Sequence, residues 1–183
     1  MRYLKTFYEQ NVRHDLANKF VYLKSVKLPK LKKIILNYGC KTSEIKQLAS
    51  SLLALETIAN QKGVLTTTKH PNLLLKIRKG NPTGCKITLR KTCMRSFFSK
   101  LTSEVFPKLK IIDKLAVKLE KSTFSYELSD AFNFTELEEH YSIFNSLPHL
   151  TITLVTNCNS REELAFILKS LKFLNQKANV TQW

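Results

Sequence analysis

Basic and hydroxyl side chains alternate with apolar ones in the run from Leu75 to Arg90. Side chains on a strand point to opposite faces with a period of two, so such a run has one apolar face and one polar face. The polar positions at its end are Lys86, Thr88 and Arg90. Ammonium, guanidinium and hydroxyl groups on one open face are donors to phosphate oxygens. The run therefore predicts a strand–turn–strand unit, residues 75–78 and 85–90, whose polar face binds phosphates.

The turn of this unit is predicted at Asn81-Pro82-Thr83-Gly84, which has the residues favoured in a type I turn. Its glycines do not form a nucleotide-binding loop, which needs about four residues between the glycines and a Gly-Lys-Ser/Thr ending. Here three residues separate Gly80 from Gly84, and Cys85 stands between Gly84 and Lys86. A phosphate-binding loop of that type is excluded.

The positive charge of the chain is concentrated in its N-terminal half. Residues 1–100 hold 21 Lys and Arg against 4 Asp and Glu, whereas residues 101–183 hold 9 against 10. The formal net charge of +16 therefore comes from the first half alone. This asymmetry is the electrostatic footprint of a polyanion-binding protein, and nucleic acid is the predicted partner. The alternative is a basic surface that only keeps the chain soluble.

No metal, cofactor or membrane partner is predicted. The four cysteines, at positions 40, 85, 93 and 158, include no Cys-x-x-Cys pair, which disfavours both a zinc site and a disulfide framework. No apolar run reaches the roughly 18 residues of a membrane-spanning helix. The first residues lack the apolar region of a signal peptide.

A catalytic site is the alternative interpretation of the polar residues. Glu136, Glu138, Glu139, His140 and His149 could supply carboxylates and imidazoles for acid–base chemistry. The chain contains neither a His-Glu-x-x-His motif nor a Gly-x-Ser-x-Gly nucleophile elbow. Acidic residues beside a turn are most often solvated, and we predict that the chain is not an enzyme.

The elements before the predicted hairpin follow from apolar periodicity. Residues 4–20 have helical spacing, and residues 30–38 alternate as a strand. On that strand Ile34, Leu36 and Tyr38 share one face, whereas the other carries Lys33, Ile35 and Asn37. A helix over residues 45–58 follows, with Thr42 as its N-cap and Gly63 as its stop, and then a Thr-rich strand over residues 64–69.

The elements after the hairpin are less regular. Thr92 can cap a third helix that Pro107 closes, and residues 108–149 show no clean period except for a strand within residues 124–134. Residues 151–156 form a clear strand, and Ser160 with Glu163 matches the capping box of a last helix.

These elements predict an α+β fold, in which helices pack on one face of an antiparallel sheet and the other, basic face stays exposed. We expect one domain over residues 1–175, with a basic half (1–107) and a near-neutral half (108–175), and a loose tail over residues 176–183.

Several motifs occur in a fixed order along the chain. They are Val26-x-x-Pro29 with Lys33-Ile34-x-Leu36-Asn37-x-Gly39, then Gln61-Lys62 with Leu65-x-Thr67-x-Lys69, and then Lys76-Ile77-Arg78-x-Gly80-x-Pro82-x-Gly84-Cys85-Lys86-x-Thr88-Leu89-Arg90. Met94, Phe97, Pro107, Ile152-Thr153, Glu162-Glu163 and Leu168 come further on. Together they resemble the family of the fifth protein of the bacterial-type large ribosomal subunit, which binds 5S ribosomal RNA in the central protuberance. The resemblance spans about residues 3–173.

The resemblance implies an architectural ribonucleoprotein role in translation. The implied partners are 5S rRNA, large-subunit rRNA, the transfer RNA in the peptidyl site (P site) and neighbouring ribosomal proteins, including a head protein of the small subunit. The residues expected on the 5S rRNA-binding face are Lys33, Asn37, Gln61, Thr67, Lys86, Thr88 and Arg90. The loop expected to approach P-site tRNA contains Lys69, His70, Asn72, Lys76, Arg78, Lys79 and Asn81.

The chain departs from this family in its second half. Residues 118–123 stand where the family has a loop rich in Gly and Arg, and they contain neither. Only four glycines occur in the whole chain. This composition is typical of an AT-rich coding genome and favours a mitochondrial ribosome in the matrix, with a bacterial cytoplasm or a plastid as alternatives.

Two other classes of function stay open beside the ribosomal one. The first is a small nucleic-acid-modifying enzyme with a basic groove. The second is a protein-only interaction module whose basic face meets an acidic partner.

Overall fold

A computed structural model describes residues 6, 8–22, 24, 27–40, 45–75, 77–108 and 117–171, apart from the side chains of Val117 and Leu119. The strands are β1 (Leu31–Gly39), β2 (Val64–Thr67), β3 (Pro82–Leu89), β4 (Val117–Leu119), β5 (Thr123–Leu128) and β6 (Leu150–Thr156). They form one sheet in the order β2-β3-β1-β6-β5-β4. The pairs β1–β3, β2–β3 and β4–β5 run antiparallel.

Helices account for most of the remaining described residues. They are α1 (Arg13–Lys19, preceded by a π-helical turn Tyr8–Val12), α2 (Ile45–Ala59), α3 (Lys91–Lys100, continued by the turns Leu101–Val105 and Phe106–Lys108), α4 (Thr135–Glu138), α5 (Tyr141–Phe144) and α6 (Arg161–Ser170). The predicted α+β class is confirmed. The predicted tail over residues 176–183 and the Thr42 cap lie outside the described residues.

The chain forms two compact units that interleave along the sequence. Unit 1 comprises Met1–Lys33, Arg90–Tyr126 and Thr153–Trp183, and unit 2 comprises Ile34–Leu89 and Glu127–Ile152. Neither unit coincides with the predicted halves, 1–107 and 108–175. The single-domain organisation stays a prediction.

The core of unit 2 lies on the side of β1 and β3 that faces α2. Every second residue of these strands is buried there, and Tyr38 lies directly opposite Cys85. The Ser51 hydroxyl of α2 reaches the sulfur atoms of Cys40 and Cys85 at 3.6 and 3.5 Å. Burial raises the pKa of the Cys85 thiol, which therefore stays neutral and acts as a small core residue.

The predicted hairpin is wrong in its first strand and in its turn. The preceding strand that pairs with β3 is β2. The described residues 75, 77 and 78 lie in no strand, and Ile77 forms only an isolated bridge with Asn72. Pro82 is the first residue of β3, where its missing N–H is tolerated. The turn lies at Arg78–Asn81, with Asn81 N donating to Arg78 O at 3.2 Å. Gly80 has φ 88°, which suits the third position of a type II turn.

Two predicted helix ends also differ from the structure. Helix α2 ends at Ala59, and Asn60 adopts the left-handed conformation (φ 50°) that the prediction assigned to Gly63. A Cβ at Gly63 would lie 2.6 Å from Leu52 Cδ1, so the end of the Leu52 side chain would have to shift to admit another residue there. Helix α3 begins at Lys91 after Arg90, with no side-chain cap, so Thr92 lies inside the first turn.

In unit 1, polar residues just before helix α6 cap that helix and also bond the backbone that precedes β1. The Ser160 hydroxyl accepts from Glu163 N at 3.2 Å, so Ser160 caps the helix as predicted. The Glu163 carboxylate accepts from Asn159 N at 2.9 Å, one residue before the N–H that a capping box uses. The Asn157 carboxamide bonds Lys30 N and donates to Leu28 O at 3.3 Å.

Candidate nucleic-acid interface

The exposed side of β1, β2 and β3 carries the polar residues that alternation predicts. Lys86 of β3 is paired with Asn37 of β1 and with Val64 of β2, and Thr88 is paired with Ile35. Residues paired across strands share a face. We call this surface the basic face, and its members are Ile35, Asn37, Val64, Thr66, Gly84, Lys86 and Thr88.

A glycine pair leaves part of the basic face without side chains. Gly84 pairs with Gly39 on one side and with Thr66 on the other. A Cβ at Gly84 would lie 2.6 Å from Tyr38 O and 2.8 Å from Thr66 Oγ1, so the strand geometry requires glycine there. A Cβ at Gly39 would meet no atom within 4 Å. Gly39 therefore leaves room beside bare backbone for an approaching ligand.

Gln61 and Thr67 lie at the margins of this face. The Gln61 amide donates to Thr88 O at 3.4 Å, which holds the exposed side chain against β3. Thr67 is exposed and follows a register shift in β2, which brings it opposite Pro82. Both predicted residues are accessible to a partner.

Lys33 and Arg90 belong to unit 1. Along the chain they lie next to Ile34 and Leu89, which are paired in the β1–β3 ladder. Arg90 is exposed and Lys33 is half-buried. Neither forms an ion pair with another residue that the structure describes.

The base of the predicted tRNA-facing loop, residues 68–81, is closed by Thr68. Its N–H donates to Asn81 O at 3.0 Å, and its carbonyl accepts from Gly80 N at 3.0 Å. Its hydroxyl lies 2.8 Å from Arg78 O and 3.2 Å from Asn81 O. Thr68, in the outgoing segment of the loop, thus joins that segment to the returning one.

The tip of the loop is closed by Asn72. Its backbone N–H and C=O exchange hydrogen bonds with those of Ile77 at 2.9 and 3.0 Å. Its side-chain oxygen accepts from Leu74 N at 3.0 Å and Leu75 N at 3.4 Å, as in an Asx turn. Of the loop residues predicted to face tRNA, Lys69, His70, Asn72, Arg78 and Lys79 are exposed, Asn81 is half-buried, and Lys76 lies outside the described residues.

Electrostatics favour an anionic partner for this part of unit 2. The sequence has no Asp or Glu between Lys62 and Lys100. Lys69, Arg78, Lys79 and Lys86 form no ion pair with any described residue. Unpaired cations on an exposed surface are available for phosphate oxygens.

Sequence reasoning placed Ile35 on this face of β1 but missed Val64, the apolar residue that β2 adds to it. Val64 is 60% exposed and Ile35 is half-buried, although both are β-branched aliphatic residues. The period-two pattern carries the signal, because Ile35 lies between two buried positions of β1. Apolar groups beside Lys86 and Thr88 allow contact with ribose or base surfaces as well as with phosphates.

The acidic residues predicted near position 136 lie on α4, in a different part of unit 2. Helices α4 and α5 contact α2, which covers the buried side of the sheet. Tyr141 and Ile143 of α5 are 62% and 51% exposed, and the ring centroids of Tyr141 and Phe132 are 4.8 Å apart. In the part of the chain that the structure describes, no group of three or more His, Cys, Asp or Glu could hold a metal ion.

Helices of the described residues are too short or too polar to cross a membrane. An open sheet face with cations that pair with no described residue, together with a basic loop closed by its own hydrogen bonds, is typical of proteins that bind an extended polyanion.

Sequence similarity to known proteins identifies the family of this chain. The chain is 35% identical over 182 residues to the large ribosomal subunit protein uL5m of Reclinomonas americana, covering 97% of this chain and 100% of the relative. It is 34% identical over 172 residues to uL5 of Wigglesworthia glossinidia brevipalpis, covering 93% and 97%. Its identity to uL5 of Geobacter sulfurreducens is 30% over 173 residues, covering 93% and 97%. No protein-family model matches the chain.

The chain belongs to the uL5 family of large ribosomal subunit proteins. It is therefore a structural constituent of the ribosome and not an enzyme, and its context is ribosomal RNA and other ribosomal proteins. Similarity to uL5m supports the mitochondrial type. The resemblance drawn from the ordered motifs is confirmed.

Proposed function

We propose that the basic face binds 5S rRNA in the central protuberance of the large subunit. The observation that carries this proposal is the paired row Val64–Lys86–Asn37, which joins a cation, an amide and an apolar surface on an open sheet. Lysine supplies charge to phosphates, the amide can bond base edges, and the apolar group covers ribose or base carbon atoms. The residues proposed to contact 5S rRNA are Lys33, Asn37, Gln61, Thr67, Lys86, Thr88 and Arg90.

We further propose that the loop over residues 68–81 approaches P-site tRNA. Thr68 and Asn72 close it at its base and at its tip, so its cations stand on a fixed frame. Lys69, Arg78 and Lys79 are exposed on this frame. The proposed tRNA-facing residues are Lys69, His70, Asn72, Lys76, Arg78, Lys79 and Asn81.

A contact with a head protein of the small subunit completes the proposal. No Lys or Arg occurs between Lys121 and Arg161, whereas five Asp and Glu do. This segment includes α4 and α5, with the exposed Tyr141. A surface of this kind repels RNA and fits a basic protein, so we place the bridge here. The mitochondrial matrix is the proposed location, supported by the similarity to uL5m.

Binding of a 5S rRNA transcript by the full-length chain tests the main proposal. Lys86→Ala and Arg90→Ala each remove a charge-assisted contact and are expected to weaken binding about tenfold or more. Lys46→Ala is the matched control, because Lys46 is exposed on α2, which packs on the opposite side of the sheet. If all three variants bind equally well, the basic face is not the 5S site. Cleavage or modification of the transcript would contradict a purely structural role.

A further inference from the structure

The tip of the 68–81 loop is apolar although its flanks are basic. Leu73 and Leu74 are 92% and 94% exposed, and Leu75 is 47% exposed. Isolated exposed leucines are ordinary on protein surfaces. Three in succession at a loop tip expose contiguous apolar surface, which marks an interaction site.

The leucines are held outward by the loop itself. The two Asn72–Ile77 backbone bonds close the tip of the loop, and the Asn72 side chain accepts from the amides of Leu74 and Leu75. Ile77 is 6% exposed, so it anchors the returning segment in the protein. The entropic cost of ordering the tip is already met in the free protein, as in a preorganised binding loop.

The charge around the tip identifies the class of occupant. Lys69, Arg78 and Lys79 flank the leucines, and no acidic residue occurs between Lys62 and Lys100. This surface attracts a polyanion and disfavours a basic protein. Apolar side chains gain nothing from a phosphate, but they can cover the face of an unstacked base or the carbon atoms of a ribose.

We propose that Leu73 and Leu74 bind RNA by apolar contact with an exposed base or ribose surface of the P-site tRNA. The flanking cations hold the adjacent phosphates. This inference rests on the proposed tRNA-facing role of the loop. It divides the affinity of the loop for tRNA into two parts. The cations supply the salt-dependent part of the affinity, and the leucines supply a part that does not depend on salt.

The test uses ribosomes whose large subunits contain the full-length chain, with deacylated tRNA bound at the P site as the probe. Replacement of both leucines by serine (L73S with L74S) is expected to weaken tRNA binding by about fivefold to thirtyfold at both low and high salt. Replacement of both cations (R78S with K79S) is expected to weaken binding strongly at low salt and less at high salt. Leu73→Phe keeps an apolar tip and is expected to restore binding.

The controls separate this inference from the proposal on which it depends. Val21 is 96% exposed, so Val21→Ser removes an exposed apolar side chain elsewhere and is expected to leave tRNA binding unchanged. One outcome is that the double leucine variant binds tRNA as well as Val21→Ser does, while the double cation variant binds more weakly. This outcome overturns the apolar contact and leaves the tRNA-facing role of the loop standing. Wild-type binding by both double variants overturns both. Loss of a ribosomal protein from the subunit, with tRNA binding intact, assigns the tip to a protein and also overturns the inference.

Discussion

Two parts of unit 2 carry charges of opposite sign on different types of secondary structure. Residues 63–89 hold five Lys and Arg and no Asp or Glu, and the described part includes strands β2 and β3 and the loop between them. Residues 127–152 hold five Asp and Glu and no Lys or Arg, and they include α4 and α5. Helix α2 contacts both β3 and the two short helices. One unit can therefore meet RNA with its basic face and a basic protein with the acidic residues of this second part.

The secondary structure of the basic part is easier to predict from the sequence than that of the acidic part. A strand with one buried face buries every second residue, as β1 does at Ile34, Leu36 and Tyr38, and the sequence shows this period of two. The helices α4 and α5 have four residues each, too few for a helical repeat to be recognised. Such short helices form because buried residues such as Leu137 and Phe144 pack on their neighbours.

The largest expected effect is the salt dependence of RNA binding. If five to eight phosphates are neutralised, affinity for 5S rRNA is expected to fall by about two to four orders of magnitude between 50 and 200 mM salt. Fluorescence titration of labelled RNA measures the slope. Lys86→Ala is expected to reduce the slope by about one, whereas Glu139→Gln, on the acidic side, is expected to leave it unchanged. A flat salt dependence contradicts the polyanion interpretation of residues 63–89.

The next effect concerns the core beneath the basic face. Leu89 is fully buried in β3, so Leu89→Ala is expected to lower the free energy of unfolding by about 2–5 kcal/mol. Val64 lies on the opposite side of the sheet and is 60% exposed, so Val64→Ala is expected to change it by about 0.5 kcal/mol or less. Urea unfolding followed by circular dichroism measures both. Equal losses for the two variants contradict the assigned faces.

The sequence predicted which side of β1 and β3 is buried and which is exposed, but not which segment pairs with β3 as a hairpin. Two turn motifs compete between Arg78 and Gly84, and local propensity favours Asn81-Pro82-Thr83-Gly84. Tertiary pairing decides otherwise, since Gly84 must lie between Gly39 and Thr66, where no Cβ fits. The loop residues were predicted as accessible cations, but the backbone bonds of Asn72 to Ile77 and the bonds of Thr68 to residues 78–81 join positions several residues apart. No sequence pattern fixed those partners.

A smaller effect is expected from the acidic part. Asp130 and Glu139 are exposed, and the double variant D130N with E139Q removes two negative charges without changing side-chain shape. Exposed charges at an interface rim act mainly on the association rate, so joining of the two ribosomal subunits is expected to slow by about tenfold or less at low salt. Stopped-flow light scattering measures the rate. The variant K46A with K62A, which removes two exposed positive charges from unit 2, is the control and is not expected to show the same slowing. Weaker 5S rRNA binding by the acidic variant contradicts the division of roles.

The smallest expected effect lies at Tyr38, on the buried side of β1 next to Asn37 of the basic face. Its hydroxyl is buried and has no hydrogen-bond partner among the described residues. Tyr38→Phe removes this unsatisfied group and is expected to raise the free energy of unfolding by about 1 kcal/mol or less at pH 7. Thermal unfolding measures the change, while 5S rRNA binding is expected to stay at the wild-type level.

The pH dependence of this variant tests the same burial independently. Burial raises the pKa of Tyr38 above its ordinary value near 10. The folded chain therefore keeps the phenol protonated while the unfolded chain ionises it, so wild-type stability falls as the pH rises above about 10. Tyr38→Phe lacks this titration, and its advantage over the wild type is expected to widen from pH 9 to pH 11. A constant difference across that range would place the hydroxyl in contact with water. It would also contradict the alternation that separates the core from the exposed side of β1.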